Sequence, residues 1–296
     1  MIDERVWTVR EALGWTEDYL KGKSDEAPRR SAEWLLSAAT GLTRLELYTH
    51  SDRPLSSQER AVLREGVRRR AEGEPLQYIT GEMPFRHLVV RVDAGVLIPR
   101  PETEVLVDES LRLIVGLDAP LVVDLCTGSG CVALSIAQEM PSAEVWAVDI
   151  SSTACTCTSG NAVRLRLSER VHVLEGDLFG VLPRELRGHV DLVVANPPYV
   201  PSEEIASLPA EVGRFEPALA LDGGPDGLGV ARRIWGEALE WLKPGGAIAL
   251  ELDERRVRAG GQEIVEWYEE VRIVPDLAGR DRVLVALAPS AGTTAR

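Results

Sequence analysis

The chain has 296 residues and 32.4 kDa, long for one average domain and short for three, so two domains are expected. Apolar residues make up 45% and charged residues 27%, which allows a packed core and excludes a wholly disordered chain. A net charge of −14 and a pI near 4.9 argue against a broad electrostatic grip on duplex DNA or an anionic membrane, since that grip needs Lys and Arg. No apolar run approaches the ~18 residues of a spanning helix. The stretch Met1–Trp7 lacks an apolar signal-peptide core, so a cytoplasmic protein is expected.

Residues 1–76 read as a helical domain. Ser31-Ala32-Glu33-Trp34-Leu35-Leu36 has apolar positions at helical spacing and stops near Gly41. Ser56-Ser57-Gln58-Glu59 has helix-start chemistry and opens a charged helix through Arg70, which Gly73 and Pro75 end. The run Arg68-Arg69-Arg70 is expected on a solvated face. Residues 1–75 hold 14 acidic and 13 basic side chains, whereas the other 221 hold 33 and 20, a shift that supports two units.

Residues 77–104 read as a β-hairpin linker. Phe85, Leu88, Val89, Val90, Val92, Val96, Leu97 and Ile98 are strand formers placed around a turn at Asp93-Ala94-Gly95. Pro99-Arg100-Pro101 stiffens the chain, and Glu102-Thr103-Glu104 opens the next helix. Residues 105–296 then alternate strands and helices. Strands are expected at Leu121–Asp124, Glu144–Asp149, Val171–Leu174, Asp191–Ala195 and Ala247–Leu252, with a helix at Val132–Met140. Near-continuous apolar strands between helices predict a doubly wound α/β fold, its mostly parallel sheet covered on both faces. Val271–Val274 and Arg282–Ala286 predict a terminal antiparallel hairpin, and residues 291–296 a frayed end.

The four cysteines, Cys126, Cys131, Cys155 and Cys157, fall within one 32-residue window. Cys155-Thr156-Cys157 lacks zinc-ligand spacing and has no neighbouring histidine, so thiols without a metal are expected.

Four segments carry chemistry. The loop Cys126-Thr127-Gly128-Ser129-Gly130 lies between a strand and its helix, where open α/β sheets bind ligands. Gly128-x-Gly130-x-x-Ala133, with Asp149 one βα step later, also fits a dinucleotide fingerprint, so a nicotinamide stays open at this point. Asp149 can accept hydrogen bonds from both ribose hydroxyls, or it can cap the following helix. Asp177, with Leu178 beside it, offers an acceptor to an adenine amino group and an apolar wall to the ring. Asn196-Pro197-Pro198-Tyr199 ends the fourth strand. Its prolines stiffen the backbone. The Asn196 side-chain oxygen and the Pro197 carbonyl can then form a fixed pair of acceptors for a planar amine or amide nitrogen, with Tyr199 as a flat wall.

With these segments in place, the chain resembles the release factor glutamine N5-methyltransferases, a family of class I S-adenosylmethionine-dependent protein methyltransferases. Nearly the whole chain takes part. The most specific segments are Gln77-Tyr78-Ile79-Thr80-Gly81, Leu97-Ile98-Pro99-Arg100-Pro101-Glu102-Thr103-Glu104 and Glu216-Pro217-Ala218-Leu219-Ala220-Leu221-Asp222-Gly223-Gly224-Pro225-Asp226-Gly227-Leu228. The resemblance implies a small helical domain that recognises substrate, then a methyltransferase domain that binds S-adenosylmethionine. Cys126 to Gly130 would wrap its methionine part, Asp149 its ribose and Leu178 its adenine. Asn196 would touch both cofactor and substrate, and Asn196 to Tyr199 would hold a glutamine amide of a peptide-chain release factor. A monomer without direct nucleic-acid or membrane contact is expected.

Two segments depart from the family pattern. The helix after Asp149 reads Ser152-Thr153-Ala154-Cys155-Thr156-Cys157-Thr158-Ser159-Gly160, poor helix formers in place of an Ala-Leu-rich face. After Glu251 the chain reads Leu252-Asp253-Glu254-Arg255-Arg256, without the usual Gly and Gln, which is expected to alter the lip of the pocket. The alternatives are an adenine-N6 methyltransferase, which applies the same Asn-Pro-Pro-Tyr logic to a flipped base, and a methyltransferase-like protein with altered substrate or no activity. A nicotinamide oxidoreductase would leave the asparagine–proline segment without a purpose.

Overall fold

The computed structural model describes residues 6–290, so the expected fraying at 291–296 and the first five residues of Met1–Trp7 lie outside the described residues. Two compact units are present. One runs to Glu82 and includes Ala210–Phe215; the other holds Met83–Pro209 and the chain from Glu216. The helical unit therefore extends six residues past the expected boundary and takes in a segment that the sequence assigns to the second domain.

In the helical unit, α1 (Val9–Lys21), α3 (Arg44–Thr49) and α4 (Ser57–Ala71) each begin with a capping box, Thr8/Glu11, Thr43/Glu46 and Ser56/Glu59. Each box satisfies backbone N–H groups that a helix start leaves open. Helix α2 (Pro28–Thr40) starts on a proline and ends on the left-handed Gly41, and α5 (Leu76–Thr80) closes the set. Val9, Leu13, Leu20, Leu35, Leu36, Leu47, Leu63 and Val67 form their common core. The arginine run is not one solvated face. Arg68 does lie on the surface between Glu65 and Glu72, but Arg69 pairs with Glu74. Arg70 turns inward to Asp25 (2.6 Å) and Glu211 (3.1 Å) with its side chain 11% exposed.

The linker also differs from expectation. Gln77 to Thr80 are helical, and the hairpin pairs β1 (Glu82–Phe85) with β2 (Leu88–Arg91) around Arg86-His87. The Asp93-Ala94-Gly95 turn exists, but Val96, Leu97 and Ile98 after it are not a strand. Arg86 adopts φ +50, and its guanidinium is held by Glu139 (2.6 and 2.7 Å), Asp108 and the Glu104 carbonyl.

In the second unit, α6 (Thr103–Ile114) leads into β3 (Leu121–Leu125), α7 (Cys131–Glu139), β4 (Glu144–Asp149), α8 (Ser152–Arg164), β5 (Val171–Glu175) and β6 (Val190–Ala195). The chain then supplies α9 (Ala210–Phe215) to the helical unit and continues as α10 (Gly229–Trp241), β7 (Leu242–Glu251), α11 (Glu254–Ile264), β8 (Glu270–Pro275) and β9 (Asp281–Leu287). The seven strands lie in the order β5-β4-β3-β6-β7-β9-β8. The first five run parallel, and β9 pairs antiparallel with both β7 and β8, as the terminal hairpin requires. This is the class I methyltransferase architecture. Strand order reverses between β3 and β6, so the carboxyl ends of β3, β4 and β6 face one crevice, where such sheets bind ligands.

Candidate active site

A cavity of about 270 Å³ opens at these strand ends. Among the described residues, its whole lining comes from the second unit. It gathers Cys126, Thr127, Gly128 and Ser129 from the glycine loop, Asp149, Asp177 and Leu178, and Asn196 with Pro198.

The loop after β3 is bent by left-handed backbone at Cys126 (φ +59), Gly128 (φ +60) and Gly130 (φ +80). Gly130 is the N-cap of α7, and a Cβ there would stand 2.7 Å from Thr158 Cγ2, so loop and helix approach only because no side chain intervenes. Gly130 thus shapes the loop and does not line the cavity. At Gly128 a Cβ would meet no atom within 4 Å, which leaves an open backbone cradle facing the cavity.

Asp149 ends β4 and serves two partners. Its Oδ2 accepts from the Gly128 N–H and its Oδ1 from the Ser151 N–H, both at 2.9 Å. Ser151 is the N-cap of α8. The helix-start reading of Asp149 is therefore realised, yet a carboxylate has about four acceptor sites, so two remain for a ligand. Burial raises its carboxyl against these backbone donors. Asp124, fully buried on β3, accepts from Thr127 Oγ1 (2.6 Å) and the Ala133 N–H (3.2 Å), and burial pushes it up to about 7. Burial and then Asp149 push the Cys126 thiol far above its ordinary range, which makes it a neutral wall and no nucleophile.

Asp177 meets Arg233 through two bonds of 3.0 and 2.9 Å, so both its oxygens are already engaged. Leu178 is buried beside it with φ +48.

At the end of β6 the Asn196 Nδ2 donates to Thr103 Oγ1 at 3.3 Å. Pro197 and Tyr199 do not line the cavity. Tyr199 packs on the sheet core instead, and burial pushes its hydroxyl up to about 12. The cause lies in the following loop. The Val200 N–H donates to Leu221 and the Gly223 N–H to Val200, which draws residues 198–200 along Leu221–Gly223 as a short parallel bridge. Gly227 (φ +80) lies so close that a Cβ would fall 2.3 Å from the Tyr199 carbonyl oxygen. Pro217, Leu219, Ala220 and Asp222 of this loop complete the cavity wall, and Arg100 is anchored to the buried Glu216 at 2.5 Å.

Comparisons with known proteins bear on the family and the fold. A family model described as the PrmC N-terminal domain matches residues 11–81, and one described as the methyltransferase small domain matches residues 104–210. The release factor glutamine methyltransferase of Rhodopirellula baltica is 40% identical over 290 residues, covering 95% of this chain and 97% of that protein. The chain belongs to the release factor glutamine methyltransferase family. Its relative of that name from Geobacter sulfurreducens is 45% identical over 247 residues, 83% of this chain and 84% of that protein. Among solved structures, the catalytic domain of hMettl16 in complex with the MAT2A 3′UTR hairpin 6 superposes with a TM-score of 0.56. It is 16% identical and covers 70% of this chain and 77% of that one, a likeness of fold alone.

For this family member, the unusual α8 is part of the site. Thr158 Oγ1 donates to the Gly128 carbonyl at 2.9 Å. The buried Asn161 donates to the Ser129 carbonyl (2.9 Å) and forms a two-way fork with the Arg91 backbone. Polar side chains that lower helix propensity here hold the glycine loop from behind. Sequence reasoning read Thr158, within Ser152–Gly160, as a weakness because it scored it for helix formation alone, and it did not reach Asn161. The changed segment after Glu251 does not reach the cavity. Asp253 caps α11 through the Arg255 and Arg256 N–H groups, and Arg256 pairs with Glu204 at 2.9 Å. Thr103, Arg233, Thr158 and Asn161 are the residues whose site role the sequence did not announce. Thr103 and Thr158 lay inside quoted segments, and Arg233, Thr158 and Asn161 act through contacts distant in the chain.

Proposed function

We propose that this protein transfers a methyl group from S-adenosylmethionine to the side-chain amide nitrogen of a glutamine in peptide-chain release factors. The observation that carries the reading is Asn196, tied by its Nδ2 to Thr103 on the wall of the cavity that also holds the glycine loop and Asp149. The family membership supports the substrate class.

The residues present fit the donor. The open cradle at Gly128 suits close backbone approach, and Asp149 keeps two acceptor sites. Asp124, Asp149 and Asp177 line a cavity whose two arginines, Arg100 and Arg233, are already paired, a balance that favours a cationic ligand. S-adenosylmethionine supplies an electrophilic methyl group on a sulfonium when bound. The glycine loop and Asp149 bind and place it. With Nδ2 occupied, Asn196 turns Oδ1 to the substrate, accepts one N–H of the glutamine amide and aims the nitrogen lone pair. Pro198 forms the adjacent wall, while Pro197 and Tyr199 fix the strand end. Catalysis is then orientation plus fixed dipoles in a site shielded from water, with no strong base needed before transfer.

The helical unit recognises the body of the release factor. Its match to the PrmC N-terminal domain and its absence from the cavity lining support that role. The protein acts in the cytoplasm as a monomer, without direct nucleic-acid contact. The net charge of −14 supports the last point. No helix among the described residues is long and apolar enough to cross a membrane.

Incubation with methyl-labelled S-adenosylmethionine, a purified release factor and a competing DNA duplex, followed by mass mapping of both, tests the proposal. Label on one glutamine is expected; label on DNA adenine with none on the protein overturns it. Within the same site, Asp149→Ala is expected to weaken S-adenosylmethionine binding by ~1.5–3 kcal/mol, the scale of hydrogen bonds to a charged group. Calorimetry reads this directly. Unchanged affinity would leave Asp149 as a support for Ser151 and the loop only.

A further inference from the structure

S-adenosylmethionine joins its sulfur, ribose and base in a row, and the strand order gives each part a place. Asn196 stands at the end of β6 and Asp149 at the end of β4, and in that direction the sheet runs β6-β3-β4-β5. With the reacting sulfur on the Asn196 side and the ribose at Asp149, the base falls beyond β4. The cavity is lined there by Gly176, Asp177 and Leu178, which follow β5, and by Val230 and Arg233 of α10.

Asp177 precedes a short 3₁₀ turn, Leu178–Val181, yet its side chain does not cap that turn. Arg233 holds it instead, Nη1 donating to Oδ1 at 3.0 Å and Nη2 to Oδ2 at 2.9 Å. Two parallel bonds fix the plane of a carboxylate that one bond would leave free to rotate. The guanidinium is itself well anchored. Ile234 and Trp235 beside it in α10 are buried in the core, and Glu237, one turn on, lies 4.0 Å from its Nε. A rigid helix thereby orients an acid that stands on a turn. The two side chains are 49% and 54% exposed, and a pair so exposed adds little to the stability of a fold. Stability therefore does not explain the fork.

We propose that Arg233 is a positioning residue for base selection, its fork fixing the Asp177 carboxylate as an acceptor that takes the 6-amino group of adenine and turns away a 6-oxo purine. The inference rests on S-adenosylmethionine being the ligand of this cavity. A carboxylate has about four acceptor sites and the fork takes two, so each oxygen keeps one. The adenine amino group is a donor and matches it. A 6-oxo purine brings a second acceptor to the same place, with no proton to share, and leaves the carboxylate unpaired. Sites built to hydrogen-bond one group reject an analogue lacking it for this reason.

The test is calorimetry on the full chain with S-adenosylhomocysteine and with S-inosylhomocysteine, the same molecule carrying a 6-oxo purine. It compares the parent with Arg233→Ala and Arg233→Lys. The parent is expected to prefer the adenine compound by about tenfold or more. Arg233→Ala should lose about tenfold in affinity for S-adenosylhomocysteine and less than about threefold for S-inosylhomocysteine, so that the preference collapses. Arg233→Lys keeps the charge but cannot form the fork, and it should behave like Arg233→Ala. Melting temperatures should stay within about 4 °C of the parent, which separates the effect from unfolding. A preference retained in Arg233→Ala overturns the inference, as does an equal loss for both compounds, which would make Arg233 a wall only. A gain in S-adenosylhomocysteine affinity in Arg233→Ala would make Arg233 a competitor for Asp177 and also overturns it. A parent-like preference in Arg233→Lys shows that charge and not the fork holds the acid, with the same consequence. A parent that binds S-adenosylhomocysteine without preference overturns the inference alone, whereas a parent that binds neither compound overturns the cofactor reading on which it rests.

Discussion

Asn196→Ala leaves a folded protein that binds S-adenosylmethionine and turns over a release factor ~10²–10³-fold more slowly, the usual cost of one preorganised transition-state contact. The size of the effect follows from geometry. Asn196 stands on the last turn of backbone after β6, fixed below by the buried strand and above by Pro197 and Pro198, and Thr103 holds its nitrogen. No other side-chain amide lines the cavity, so a truncated Asn196 has no substitute among the described residues. Steady-state kinetics on the release factor and calorimetry with the cofactor together read the outcome. A loss confined to cofactor affinity, with kcat unchanged, would remove Asn196 from the transfer step. Asn196→Asp keeps an acceptor but adds charge beside Thr103 and removes the donor to it, and it should fail in turnover as well.

Gly227→Ala is expected to be the most damaging small change outside the cavity. The residue holds φ +80, where an L side chain is strained, and its Cβ would lie 2.3 Å from the Tyr199 carbonyl oxygen. Backbone strain of this kind costs ~1–3 kcal/mol. The overlap is with main chain and cannot be relieved by a rotamer change, so the loop must move. Moving it disturbs Pro217, Leu219, Ala220 and Asp222, which wall the cavity, and Arg256, whose Nε reaches the Asp226 carbonyl. A fall in melting temperature of roughly 2–12 °C with a parallel fall in turnover is the expected result. Thermal unfolding and methylation assays measured on one preparation check it, and a parent-like value in both would show that the loop can accommodate the methyl group.

The parts of the site that were legible in the sequence are those where backbone demands narrow the choice of residue. Gly128 and Gly130 occupy left-handed positions, Asp149 ends a strand one βα step later, and Asn196 precedes two prolines. Each can be recognised from a few neighbours in the chain. The hairpin turn was not legible, because Asp93-Ala94-Gly95 has stronger local turn chemistry than Arg86-His87. The structure places the turn at Arg86 through partners that local pattern does not contain, Glu104, Asp108 and Glu139. Arg70 shows the same limit in the helical unit. Its run of three arginines reads as surface, yet its partners lie 45 and 141 residues away in the chain. The Tyr199 side chain was assigned to the pocket from its position after the prolines, but the bridge between Val200 and Asp222 turns it into the core.

The polar back of α8 sets how this enzyme can be changed. Thr158 and Asn161 contribute little to the helix that carries them and a great deal to the loop they face. A redesign that scored each residue only for its own element would replace them first and would count the result an improvement. The helix would gain rigidity while the Gly128–Ser129 carbonyls lost their anchors, and the cofactor cradle would soften from a distance. The same buried contacts hold both the fold and the cradle, so their loss would cost thermal robustness and catalytic competence together, whatever the helix gained in propensity.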